Sequence, residues 1–164
     1  MHTPITIHAN FLSIYQHGVL ITGPSGIGKS EISLALIDRG HRFICDDAVI
    51  IRREKERLIG ACPDEIKNLM QIDYLGVLNI RQLYGKKSVI KKHRIDCQIH
   101  LSATLENTII ENPLIPVKNT IEYLGLAIHQ YKIPINIGKQ IPLLIDTLVK
   151  NIKKHQDVPF FPLN

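Results

Sequence analysis

Val19-Leu20-Ile21-Thr22-Gly23-Pro24-Ser25-Gly26-Ile27-Gly28-Lys29-Ser30 passes from a short apolar stretch into a segment that satisfies G-x-x-x-x-G-K-[ST] at every fixed position. The spacing has a physical reason. Glycines at 23, 26 and 28 let backbone N–H groups close around an anion, and a helix opening near Lys29 adds the positive end of its dipole to the same point. Lys29 is placed to reach the terminal phosphates of a nucleotide and the Ser30 hydroxyl to ligate Mg²⁺, with Pro24, Ser25 and Ile27 completing the loop. The flanks agree with this reading: Leu20 to Thr22 forms a short buried strand, and Glu31 to Arg39 forms a helix with Ile32, Ala35 and Leu36 on one side and Gly40 at its C-terminal end. A bare glycine-rich turn between strand and helix would not need Lys29 and Ser30.

At 164 residues the chain suits one domain spanning 1–164, and about 150 residues bury roughly 68–70% of the unfolded surface. No apolar run approaches the roughly 20 residues of a membrane span, and MHTPITIHAN lacks the basic-then-apolar order of a signal peptide, so the expected location is the cytoplasm without a membrane partner. Cys45, Cys62 and Cys97 show no C-x-x-C spacing and read as ordinary buried residues. A net charge of +5 suits phosphate handling or an acidic partner, whereas aromatic residues at 5%, not interleaved with the basic ones, argue against nucleic acid.

The coarse order of elements predicts an α/β fold with a mixed central sheet. His41 to Cys45 is expected as a strand reached from the first by a parallel crossover, leaving Asp46 and Asp47 at its end. Ala48–Ile51 and Leu58–Cys62 form a hairpin around the charged turn 52–57, and Pro63-Asp64-Glu65 opens a short helix through Met70. Ile95–Leu101 and Ile133–Ile137 are further strands, Ile141–Lys154 is an amphipathic helix, and the Pro- and Phe-containing tail Val158–Pro162 docks on the domain or a neighbouring subunit.

Ligands of open α/β sheets bind beyond the carboxyl ends of the strands, so Asp46 and Asp47 should lie within reach of the loop's phosphates. Adjacent residues there point differently, which allows one to hold a metal and the other to take a proton. His8, by position alone, is an ordinary histidine.

The continuous segment from Leu20 to Val49, with the loop followed by Ser30-Glu31, then Arg39-Gly40-His41-Arg42, then Asp46-Asp47-Ala48-Val49, resembles the bacterial HPr kinase/phosphorylase family. Similarity continues through Leu75–Ile80 and Leu83-Tyr84-Gly85. The resemblance implies a P-loop kinase domain of the PEP carboxykinase-like type and ATP- and Mg²⁺-dependent phosphorylation of a serine on HPr, the sugar phosphotransferase system's phosphocarrier. It also implies a homo-oligomer, typically a hexamer. Lys29 and Ser30 match the loop lysine and metal-binding serine, Asp47 the general base, and His8 an active-site histidine. Members usually carry a separate N-terminal domain, which is expected to be lacking here.

The departures from the family pattern bear on chemistry. Gln71 stands where the family has an acidic metal ligand, with Asp73 two residues on; a neutral amide is a weaker Mg²⁺ ligand. Tyr123 replaces a catalytic arginine, with Arg94 as a substitute cation, and Ile135–Gln140 lacks two arginines of a loop associated with dephosphorylation. Arginine clamps phosphoryl groups bidentately, so these losses favour the kinase direction over phosphorolysis. Two other readings remain open: another P-loop kinase or NTPase acting on a small molecule, and a catalytically impaired nucleotide-sensing module.

Overall fold

The computed structural model describes residues 2–103, 117–135 and 139–155. Twelve strands and three α-helices are present among them: β1 Ile5–Ile7, β2 Asn10–Ile14, β3 His17–Thr22, α1 Lys29–Asp38, β4 Arg42–Cys45, β5 Val49–Glu54, β6 Arg57–Ala61, β7 Leu69–Ile72, β8 Gly76–Asn79, α2 Ile80–Tyr84, β9 Lys92–Arg94, β10 Cys97–Ser102, β11 Val117–Tyr123, β12 Leu126–Pro134 and α3 Ile141–His155. Six strands make a mixed central sheet in the order β11-β12-β10-β3-β2-β4; β1-β5-β6-β9 form a second, antiparallel sheet and β7-β8 a separate hairpin.

Each face of the central sheet buries its own core. Val19 and Ile21 of β3, with Ile99 and Leu101 of β10, pack against Ile32, Leu36 and Ile37 of α1 and Ile141, Ile145, Leu148, Val149 and Ile152 of α3. That helix spacing is the i, i+4, i+7, i+8, i+11 stripe of an amphipathic helix. On the other face Phe11, Leu20 and Ile44 meet Val49, Ile51 and Leu58 of the second sheet. The alternation of strand side chains thus feeds two cores, giving a helix layer, a six-stranded layer and a four-stranded layer.

The crossover from β3 through α1 to β4 is parallel, as expected, but β4 does not neighbour β3. β2 lies between them and is antiparallel to both. The hairpin of β5 and β6 is present with a tighter turn than the sequence indicates: Arg53 pairs with Leu58 and Glu54 with Arg57, leaving Lys55 and Glu56 at the tip. The helix expected from Pro63 to Met70 is reduced to one 3-10 turn at Asp64–Ile66. Asn68 then adopts φ 66, which ends any helix, and Met70 and Ile72 enter the core alternately from β7. The strand expected at Ile133–Ile137 ends at Pro134; residues 136–138 and the tail at 158–162 lie outside the described residues. No helix among the described residues is long and apolar enough to cross a membrane.

Candidate active site

β3 delivers the chain into the loop at the C-terminal end of the central sheet, where Thr22 pairs with His100 of β10. Gly23 passes so close to that strand that a Cβ would come within 2.8 Å of the Leu101 carbonyl oxygen, so no larger residue fits. Gly28 caps α1 at φ 104, a left-handed conformation, with no side-chain cap of its own. The first N–H groups of α1 are therefore left for an anion. Ile27 packs into the helix-side core and anchors the loop from within.

Lys29 is 7% exposed, and its Nζ donates to the carbonyl oxygens of Gly23 at 2.8 Å and Pro24 at 3.0 Å. The ammonium is thereby parked inside its own loop. Ser30 Oγ donates to Asp46 Oδ1 at 2.7 Å, a charge-assisted bond that turns the hydroxyl lone pairs away from Asp46. Asp46 is buried, and two further donors hold it: Asn10 Nδ2 at 2.9 Å on Oδ1 and the Gln71 backbone N–H at 3.1 Å on Oδ2.

Asp47 follows with φ 74, a left-handed backbone that costs a non-glycine residue on the order of 1 kcal/mol and that neighbouring structure must enforce. Here the enforcement is visible: the Asp47 N–H donates to Asn10 Oδ1 at 3.2 Å, and its carbonyl accepts from the Ala9 N–H at 3.3 Å. The result throws the Asp47 carboxylate outward, away from Asp46. Its Oδ1 lies 2.9 Å from His8 Nδ1, and both side chains are well exposed.

One cavity of about 150 Å³ collects these groups, lined by Ser25, Gly26, Gly28 and Lys29–Glu31 of the loop, by His8, Asn10 and Asp47, and by Gln71 and Asp73. The structure therefore brings together His8, Lys29, Ser30, Asp47 and Gln71. Asp46 stands behind Ser30, while Gly23 and Pro24 act through the carbonyls that hold Lys29. Among the described residues no three His, Cys, Asp or Glu side chains cluster as a metal cage. Mg²⁺ does not need one, because it keeps several waters and takes one or two protein oxygens beside those of phosphate. The Ser30–Asp46 pair, with Gln71 beside Asp46 and both Gln71 and Asp73 lining the same cavity as Ser30, fits that donor set.

Arg94 does not reach the site. It precedes β10 at the opposite end of the sheet and pairs with Asp96 at 3.3 Å. Tyr123 lies at that same far end, pairing with Leu126 at the start of β12, and donates to Gln98 Oε1 at 2.6 Å. Asn10 is the residue that sequence reasoning missed. It is 1% exposed and bridges Ser33, Asp46 and Asp47, and its only sequence signal is a polar side chain inside the apolar run Ala9–Ile14. His100 also adjoins the loop, with Nδ1 2.9 Å from Thr22 Oγ1; burial, then the charges of Lys132 and Lys29, hold its imidazole below the usual range.

The HPr Serine kinase C-terminal domain family model matches residues 1–160. HPr kinase/phosphorylase of Bordetella avium is 38% identical over 148 residues, which are 89% of this chain and 47% of that protein. The enzyme of the same name from Leptospira biflexa is 38% identical over 146 residues, 88% of this chain and 45% of the relative. The chain thus spans about half the length of the curated relatives it matches. Among solved structures, the Hpr(Ser) kinase/phosphatase from Coxiella burnetii superposes with a TM-score of 0.88 at 40% identity, covering 93% of each chain. The P-loop kinase fold follows from that match, and the chain belongs to the HPr serine kinase C-terminal domain family.

Proposed function

We propose that this chain is an ATP- and Mg²⁺-dependent protein kinase that phosphorylates a serine of the phosphocarrier HPr. The observation that carries the reading is Asp47: a carboxylate held outward by a left-handed backbone, 2.9 Å from His8, opening onto the cavity that Lys29 and Ser30 also line. Asp47 accepts the proton of the attacking serine hydroxyl, and His8 orients the carboxylate that does so. Lys29 exchanges its two loop carbonyls for the terminal phosphates, and the N–H groups opening α1 bind the same charge. Bound Mg²⁺ supplies neutralisation of the charge on the β- and γ-phosphoryl oxygens. Ser30 offers it an oxygen fixed by Asp46, and Gln71, with Asp73 nearby, contributes from β7.

The rim of the cavity favours a protein substrate over a small metabolite. Asp73 leads into the tip of the β7-β8 hairpin, where Tyr74, Leu75 and Val77 stand exposed. Tyr123 and Arg94 sit too far from the loop to replace a phosphate-clamping arginine, which supports the kinase direction over phosphorolysis. A cytoplasmic homo-oligomer of the family type completes the proposal, with light scattering as the check on size.

Purified chain incubated with γ-labelled ATP, Mg²⁺ and HPr should place label on an HPr serine. ATP binding without labelling of HPr overturns the reading and leaves the nucleotide-sensing alternative.

A further inference from the structure

A second cavity lies at the end of the central sheet opposite the phosphate loop. Its volume is about 550 Å³, against about 150 Å³ over the loop, and the two cavities share no lining residue. Four parts of the chain meet there: His17 opens β3, Arg57 and Leu58 open β6, Asp96 links β9 to β10, and Leu126 opens β12. The register explains the meeting. Cys97 lies opposite both Val19 of β3 and His129 of β12, so these parallel strands begin at one end of the sheet. The Ile95 N–H donates to the Leu58 carbonyl oxygen at 2.8 Å, which ties the second sheet to that same end.

The charged groups around this cavity are unequally committed. Arg94 pairs with Asp96 at 3.3 Å, and Asp96 also accepts from the Gly18 N–H at 2.7 Å. Glu56 pairs with Arg53 at 3.3 Å. Both acids are thereby taken up by arginines, and a cationic ligand finds no free carboxylate. Arg57 is exposed, and among the described residues its guanidinium makes neither a hydrogen bond nor an ion pair. His129 adds a ring nitrogen, Nδ1, that is shut off from water and has no hydrogen-bond partner among them. Beside these two stands an apolar wall of Leu58, Leu126 and Ile128.

We propose that this cavity binds a small organic anion, its carboxylate or phosphate head on the Arg57 guanidinium and its apolar body against Leu58, Leu126 and Ile128. The volume falls within the roughly 300–1,000 Å³ of small-molecule pockets. The planar fork of a guanidinium matches either head bidentately, which a lone ammonium does not. An exposed arginine alone would hold an anion weakly; the apolar wall next to Arg57 adds the burial of an organic body to the charge pairing. A polar substituent on that body would also give His129 the partner it lacks, once the ring turns toward the cavity. The inference stands apart from the kinase reading, and its test uses neither HPr nor nucleotide.

The test titrates the full chain with octanoate, octyl phosphate and uncharged octanamide, following backbone amides in proton–nitrogen correlation spectra. At least one of the two anions should bind saturably with Kd at or below roughly 1 mM, moving the amides of residues 57–58, 95–96 and 126–129. The tighter of the two identifies the head as carboxylate or phosphate. Octanamide should bind about tenfold more weakly or worse, and Arg57→Ala should weaken the anions by the same factor while keeping a folded spectrum. Ala127→Trp, which fills the cavity from an exposed position, should abolish binding, whereas Lys29→Ala should leave it within about twofold. Absence of saturable binding by either anion overturns the inference, as does equal affinity for octanamide or equal affinity in Arg57→Ala. Loss of binding in Lys29→Ala also overturns it, by moving the anion to the phosphate loop.

Discussion

Replacing Asn10 with alanine should loosen the whole Asp46–Asp47 turn, because one buried amide holds both aspartates. Three hydrogen bonds are lost: Nδ2 to Ser33 Oγ at 2.9 Å, Nδ2 to Asp46 Oδ1 at 2.9 Å, and the Asp47 N–H to Oδ1 at 3.2 Å. Ser33 suffers little, since its hydroxyl still donates to the Lys29 carbonyl at 2.7 Å. Asp46 loses a charge-assisted bond worth about 1.5–3 kcal/mol, and an unpaired Asp47 N–H costs about 1–3 kcal/mol. Asn10 borders the cavity, so water entering the gap recovers part of this, leaving a net loss of roughly 2–4 kcal/mol. For a domain of this size that is roughly 5–15 °C in Tm. Asp47 also loses a restraint on its left-handed backbone, so turnover should fall about tenfold to a hundredfold. Urea unfolding with circular dichroism gives the stability and a phosphorylation assay the turnover. A variant within about 0.5 kcal/mol of wild type and with unchanged turnover would refute the bridging role of Asn10.

Three further outcomes follow from the same structure. Lys29→Ala should weaken MgATP binding by about a hundredfold, read by calorimetry, while leaving Tm nearly unchanged, because among the described residues the ammonium bonds two loop carbonyls and no carboxylate. Gly60→Ala should destabilise by about 1–3 kcal/mol in thermal melts: its Cβ would lie 2.6 and 2.9 Å from ring atoms of Phe11, which is fully buried and has nowhere to move. Asp146 of α3 is held by His41 at 2.7 Å, Tyr15 at 2.7 Å and Arg39 at 3.0 Å. Burial alone pushes its carboxyl up, but those bonds outweigh burial and hold it down at about 2. A folded value below the unfolded 3.8 means the contribution is complete above pH 3.8 and disappears as pH falls toward 2. Asp146→Ala should therefore cost about 2–4 kcal/mol at pH 7, with the gap to wild type narrowing in acid-range urea melts.

The phosphate loop and α1 were legible because their signals are local: glycines at fixed spacing, Lys29, Ser30, and an apolar helix face. The insertion of β2 was not. The β2-β3 hairpin turns through Tyr15 and Gln16, at φ 50 and 70, where the sequence carries none of the Asn or Gly residues that usually announce such a turn. Lys55 at φ 58 tightens the β5-β6 turn without a glycine signal as well, whereas the β11-β12 hairpin turns through Leu124 at φ 51 and Gly125 at φ 81, a glycine signal that the sequence reading passed over. Pro63-Asp64-Glu65 did give a real helix-start signal, but burial of Met70 and Ile72 at period two overrode it. At the site, Asp46 and Asp47 were readable from their place at a strand end. Their different settings, Asp46 buried and Asp47 exposed, involve Asn10, 36 and 37 positions away, through contacts no local pattern records. His8 could be singled out only through the family resemblance, for its partner is likewise distant in sequence.

The most direct trial of the central claim is a single-turnover comparison of wild type with Asp47→Asn, each preloaded with MgATP and mixed with HPr. Wild type should transfer the phosphoryl group to serine, whereas Asp47→Asn should bind MgATP within about twofold of wild type yet transfer on the order of a hundred to ten thousand times more slowly. Equal transfer rates from the two proteins would contradict the assignment of Asp47 as the proton acceptor and, with it, the account of the site.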